Sequence, residues 1–89
     1  MHSYLTIRGV ANSDTVVIYE NSNPSITRTA KVEPTGGWQL YNINTNNFLR
    51  PGLYTYTIWD GKNMSTQTKI KIYTYQNNVI GTGTVPFSL

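Results

Sequence analysis

The sequence predicts an all-β domain, two small antiparallel sheets packed face to face, and three observations predict it. The first is composition. Thirteen Thr and seven Tyr favour a pleated, half-buried surface, while ten Asn favour turns. The second is charge. Only 12% of the residues are charged, too few for the solvated face of a long helix. The third is spacing. Short runs of period-two alternation are separated by turn signals roughly every 8–12 residues, the pattern of a sandwich or small barrel. At 89 residues the chain makes one small domain.

The elements follow in order. Leu5 and Ile7 alternate with Tyr4, Thr6 and Arg8, a first strand over Ser3–Gly9. Asn12-Ser13-Asp14 turns the chain. Thr15–Glu20 is strongly β, with Val16 and Ile18 inward and Val17 and Tyr19 on the other face. Asn21–Pro24 ends that strand, because proline has no amide proton for a ladder. Ile26–Val32 is the third strand, with Arg28 and Lys31 toward solvent. The glycines of Pro34-Thr35-Gly36-Gly37 permit a turn with positive φ. Trp38–Tyr41 follows, Trp38 and Leu40 sharing a face. Asn42–Asn47, with four Asn in six residues, reads as a crossing between sheets, with Ile43 and Phe48 tucked beneath it.

Leu49–Trp59 is the strongest segment. Tyr54, Tyr56 and Ile58 share one face; Leu53, Thr55, Thr57 and Trp59 share the other. Asp60-Gly61-Lys62-Asn63 is a hairpin turn, and Met64–Tyr73 is the return strand. After Tyr75 the pattern breaks, and Gln76-Asn77-Asn78 reads as a turn. Residues 1–75 are read as the domain and 76–89 as a C-terminal extension, either an added strand or a docking tail. The expected core is Leu5, Ile7, Val16, Ile18, Ala30, Val32, Trp38, Leu40, Leu49, Tyr54, Tyr56, Ile58, Ile70 and Ile72.

Several of these segments resemble a family. Ile7-Arg8-Gly9-Val10-Ala11, Asp14–Tyr19, Gly36-Gly37-Trp38, Pro51–Thr57 and Asp60–Asn63 are similar to the bacterial immunoglobulin-like (Big-type) repeat domains of surface adhesins and phage virions. The resemblance implies an immunoglobulin-like β-sandwich of about seven strands and no catalytic residue. Leu49, Pro51, Gly52 and Tyr54 resemble the tyrosine corner shared with fibronectin type III domains. There the Tyr54 hydroxyl would bond back to the backbone near Leu49 or Arg50. The acidic calcium-binding residues usual at the junctions of such domains are missing.

Charge and residue types narrow the function. The net charge of +3 rests on seven basic residues with no basic block, so no nucleic-acid partner is expected. Without cysteine there are no disulfides, thiolate nucleophiles or zinc–thiolate sites. The N-terminal residues do not form a signal peptide, and no apolar run reaches the ~18 residues of a membrane span. The single histidine, His2, is terminal. The acids Asp14, Glu20, Glu33 and Asp60 are spread over different turns, so no enzyme, metal or cofactor is expected. A convergence of carboxylates in the fold would reopen catalysis. Lys69 and Lys71 read as guards of an edge strand against unwanted pairing.

Exposed aromatics are the better lead. Trp59 either points outward or caps the sheet end beside Asp60, and Tyr4, Tyr19, Tyr73 and Tyr75 fall on outward phases. Trp59, Tyr19, Tyr73 and Tyr75 are the candidate ligand or partner contacts, for a sugar or a protein. Their plainer role is to cover cross-strand neighbours. The expected function is a non-enzymatic structural or adhesive surface module, a decoration or accessory protein of a phage particle. Its partners would be virion or surface subunits or further copies of itself, and its location the virion or the cell exterior. A start at Met1, the lack of an export signal and an apolar tail favour that reading. The alternative is a carbohydrate-binding or adhesion module of a larger bacterial surface protein.

Overall fold

A computed structural model describes residues 4–49, 53–75, 78–82 and 87–88, with side chains described for 4, 6–49 and 55–70. The strands are β1 (Tyr4–Val10), β2 (Thr15–Glu20), β3 (Asn23–Lys31), β4 (Gly37–Asn44), β5 (Leu53–Trp59), β6 (Thr68–Tyr75), β7 (Asn78–Thr82) and β8 (Phe87–Ser88). They form two antiparallel sheets, one of three strands in the order β4-β1-β8 and one of five in the order β3-β2-β5-β6-β7. The all-β expectation holds.

β2 shows the alternation most simply. Val16, Ile18 and Glu20 are buried, while Thr15, Val17 and Tyr19 are half-buried on the other face. Its hairpin partner β3 is an edge strand. It starts at Asn23, earlier than expected, and takes in Pro24. An edge tolerates this proline because one side of the strand needs no amide donor.

β4 also runs further than expected, to Asn44. Leu5 pairs with Ile43 and Ile7 with Leu40. Three steps on β4 therefore match two on β1, a β-bulge at Tyr41 and Asn42 opposite Thr6. Asn42 takes φ of 51° there, a conformation that asparagine tolerates better than most residues. In a regular strand Leu40 and Ile43 would face opposite sides. The bulge lets Ile43 bury while Leu40 packs against the core. The crossing to the five-stranded sheet thus begins at Thr45, and Phe48 and Leu49 are fully buried in it. Leu49 has φ of 54°. This left-handed conformation costs about 1–2 kcal/mol in an L-residue and is retained here by a buried side chain.

The return strand begins at Thr68 rather than Met64. Asp60 Oδ1 accepts from the backbone N–H of Lys62 and of Asn63, both at 2.8 Å. Asn63 then caps a short 3-10 turn, Met64–Thr66, by accepting from Ser65 N–H. These side-chain acceptors curl the chain back before it can extend.

The C-terminal segment joins both sheets. β7 pairs with β6 from Lys71 to Tyr75, and β8 pairs with Arg8 and Gly9 of β1. β6 therefore lies between β5 and β7 from Lys71 onward, and the reading of Lys71 as a guard of an edge strand is corrected. Lys69 is exposed just before the β7 pairing begins.

The core between the sheets contains Ile7, Val16, Ile18, Ala30, Trp38, Ile43, Phe48, Leu49, Tyr56, Ile58 and Ile70, with Val32 and Leu40 packed against it. Phe48 meets the Tyr56 ring edge-on, centroids 5.2 Å apart, and the Arg28 guanidinium lies 5.3 Å from the Phe48 centroid. The Leu5, Tyr54 and Ile72 side chains, also expected in the core, lie outside the described set.

Candidate functional site

One end of the sandwich opens into a cleft of about 440 Å³, within the range of ligand-binding clefts. Three pieces of chain converge there. Val10–Ser13 is the end of β1 with its turn toward β2, Trp38 is the second residue of β4, and Ile58–Asp60 with Ser65, Thr66 and Thr68 supplies the end of β5 and its return. The floor is apolar, with Val16, Ile58 and two indoles; the rim is polar, with Asn12, Ser13, Asp60 and Ser65.

Short bonds fix this rim. Thr15 Oγ1 donates to the Asp60 carbonyl at 2.8 Å, joining the start of β2 to the end of β5. Thr66 Oγ1 accepts from Asp60 N–H and donates to the Asn63 carbonyl at 2.7 Å. Ser13 donates to the Thr15 carbonyl, and Ser65 to Asn63 Oδ1. The backbone N–H groups of Asn63 and then Lys62 hold the exposed Asp60 carboxyl below its ordinary range. Gly61, at φ of 82°, lies so close to β2 that a Cβ would stand 3.0 Å from Val17 Cγ2.

The two indoles are the unusual feature. Trp38 is 2% exposed and Trp59 half-buried. The Nε1 of each is shielded from solvent and meets no acceptor among the described residues. A buried donor without an acceptor costs about 1–3 kcal/mol. A domain of this size has only about 5–13 kcal/mol of net stability. Two such donors in the lining of one cleft therefore carry weight.

The candidate contacts separate. Trp59 caps the sheet end beside Asp60, where it lines the cleft. Tyr19 is half-buried on the outer face of the five-stranded sheet. Its register partner is Thr57 and that of Trp59 is Val17, so the two aromatics stand diagonally on neighbouring strands. Thr57 is itself buried on that face and donates to Asn21 Oδ1 at 2.6 Å. Tyr73 pairs with Leu53 and Tyr75 with Asn78, but their side chains lie outside the described residues. Of the tyrosine corner, Leu49 is buried, Pro51 and Gly52 lie outside the described residues, and Tyr54 is the second residue of β5, its side chain outside the described set.

Sequence reasoning missed Glu20. It ends β2 beside a turn, as expected, yet it is fully buried. Tyr56 O–H donates to its Oε1 and Ser22 Oγ to its Oε2, each at 3.1 Å. Strict alternation on β2 was the available signal: Val16, Ile18 and Glu20 share one phase. Trp38 was placed in the core, but nothing in the sequence marked it as lining a cleft.

A second exposed feature lies on the outer face of the three-stranded sheet. Tyr4 is 62% exposed, Tyr41 65% and Val10 53%, with Arg8 exposed on the same strand. The β4 bulge turns Tyr41 outward between the inward Leu40 and Ile43. Among the described residues no group of three or more His, Asp or Glu is placed to hold a metal ion, and no helix is long and apolar enough to cross a membrane. Comparison with known proteins finds no matching family model, no matching curated protein and no matching solved structure.

Proposed function

We propose that this chain is a non-enzymatic immunoglobulin-like contact module, a structural or adhesive component of a surface assembly such as a phage particle. Strand order supports the fold half of this reading. In an immunoglobulin-like sandwich strand B neighbours E, and C′, C, F and G form the second sheet. With β1 as B, β4 falls at E, and β3-β2-β5-β6 runs C′-C-F-G. β8 then occupies the edge beside B that an N-terminal strand A usually fills. Tyr54 stands at the start of F, where a tyrosine corner belongs.

The observation that carries the functional half is the outer face of the smaller sheet, where Tyr4, Tyr41 and Val10 present apolar surface beside Arg8. Tyrosine and arginine are the residues most used as anchors at protein contacts. Three of the four acids meanwhile make contacts within the fold. Glu20 takes bonds from Tyr56 and Ser22, Asp60 holds its own turn, and Asp14 meets Lys62 at 3.6 Å. Mass spectrometry of purified phage particles and of cell-envelope fractions tests the assignment. Peptides of this chain in particles, lost when Tyr4 and Tyr41 are both changed to Ser, are the expected result. Their absence from particles, or undiminished loading of the double variant, refutes it.

The second reading is a carbohydrate-binding or adhesion module of a bacterial surface protein. The end cleft with its two indoles favours it.

A further inference from the structure

We propose that the cleft between Val10–Ser13 and Trp59–Thr68 is a binding site for a neutral saccharide, covered by the Trp59 and Trp38 indoles. This rests on the second reading above and gives it a location, at the end of the sandwich rather than on a sheet face.

The lining selects the ligand chemistry. The indole N–H groups of Trp38 and Trp59, two residues of this lining, are donors without acceptors among the described residues, so a ligand that brings lone pairs suits them. The hydroxyl protons of Ser13, Ser65 and Thr66 are already given to Thr15 O, Asn63 Oδ1 and Asn63 O. Those oxygens offer lone pairs to an incoming donor, as does the Asp60 carboxyl. A ligand that both accepts and donates is required, and a sugar hydroxyl does both.

Charge narrows the choice further. Among the described residues the lining includes Asp60 and no Lys or Arg. A phosphate, sulfate or uronate would meet a carboxylate whose nearby cation, Lys62, lies outside the lining and is shared with Asp14. A purely apolar ligand would leave the indole donors unmet. A neutral sugar ring has an apolar C–H face for the indoles, Val16 and Ile58, and hydroxyls for the rim. Both Nε1 atoms lie beneath the surface of the wall, so the ring enters as Trp59, the half-buried one of the pair, adjusts its side chain.

With two tryptophans in the chain, a ¹⁵N-labelled sample gives two indole N–H signals. The probes are cello-, malto-, manno- and galacto-oligosaccharides, with oligogalacturonate as the anionic comparison. At least one neutral series should move the indole signals saturably. Trp59→Phe, which keeps a ring and removes the donor, should weaken binding at least tenfold. Ser65→Tyr places a ring over the cleft from an exposed position with little demand on folding, and should weaken binding as much. Retention on an immobilised neutral polysaccharide with both indole signals unmoved and Ser65→Tyr still bound overturns the cleft, while the carbohydrate reading survives. No neutral sugar bound by either method overturns both. Indole shifts with oligogalacturonate alone overturn the neutral-ligand assignment.

Discussion

Changing Tyr56 to Phe removes one oxygen atom and nothing else from the middle of the core. The ring is fully buried and keeps its edge-on contact with Phe48. What is lost is the 3.1 Å bond to Glu20 Oε1. Glu20 is 0% exposed, so no bulk water replaces the lost donor. Hydrogen bonds to ionisable acceptors contribute about 1.5–3 kcal/mol net. Ser22 still donates to Oε2, which keeps the loss inside that range. For a small domain the urea m-value is about 1 kcal/mol/M, so the midpoint should fall by roughly 1.5–3 M. Equilibrium unfolding followed by tryptophan fluorescence measures this. Glu20→Gln keeps an acceptor oxygen for Tyr56 and should cost less than Glu20→Ala. A midpoint shift under about 0.5 M with unchanged m, or no coupling between positions 20 and 56 in a double-mutant cycle, would refute the claim that these groups support one another.

Other outcomes follow from the same structure. Gly61→Ala should lower stability by at least about 1–2 kcal/mol, from the left-handed backbone alone, with the Val17 contact at 3.0 Å adding to it; chemical denaturation measures the change. The Asp60 carboxyl should titrate below the ordinary range of an aspartate, because the Asn63 and Lys62 backbone N–H groups bond to its charged form. Its folded-state pKa is depressed, so its contribution is present above the unfolded pKa and fades as pH falls through the folded one. An NMR titration of the side chain reads the midpoint, and Asp60→Asn should flatten the acid limb of stability. Lys62→Ala should change stability by less than about 0.5 kcal/mol. Its partner Asp14 is 3.6 Å away, and both side chains are mostly exposed, so screening leaves the pair little net value. Truncation after Tyr75 removes the pairings of β7 with β6 and of β8 with β1. It should lower the urea midpoint; an unchanged midpoint would mark residues 76–89 as an appendage.

Much of the fold was legible because strand alternation is a local property. Val16 and Ile18, Tyr56 and Ile58 declare their buried face by period alone; Ile43 and Phe48 are buried as expected, though Ile43 belongs to β4 rather than to the crossing. The errors fall where side chains redirect the backbone. Asp60 and Asn63 curl the chain and delay β6 to Thr68, and Asn42 adopts positive φ and extends β4 through a bulge. Of the candidate site, only Trp59 beside Asp60 was legible. The rest of the cleft is assembled from residues as far apart as Val10 and Thr68, and no periodicity connects them.

The sequence by itself determined that this is an all-β domain, which residues form most of its core, and where most of its turns fall. Composition and short-range period decide those, because a strand segregates its own two faces. Only the tertiary structure decided the neighbours: β1 between β4 and β8, and β6 inside the sheet rather than at its edge. It also decided the two features with chemical consequence. Glu20 is buried because Tyr56, 36 positions away, brings a hydroxyl to it. The two indoles line one cleft because the start of β4 and the end of β5 lie in different sheets that close over the same end. Such contacts depend on how the sheets pack, a relation between distant segments that neither segment encodes alone.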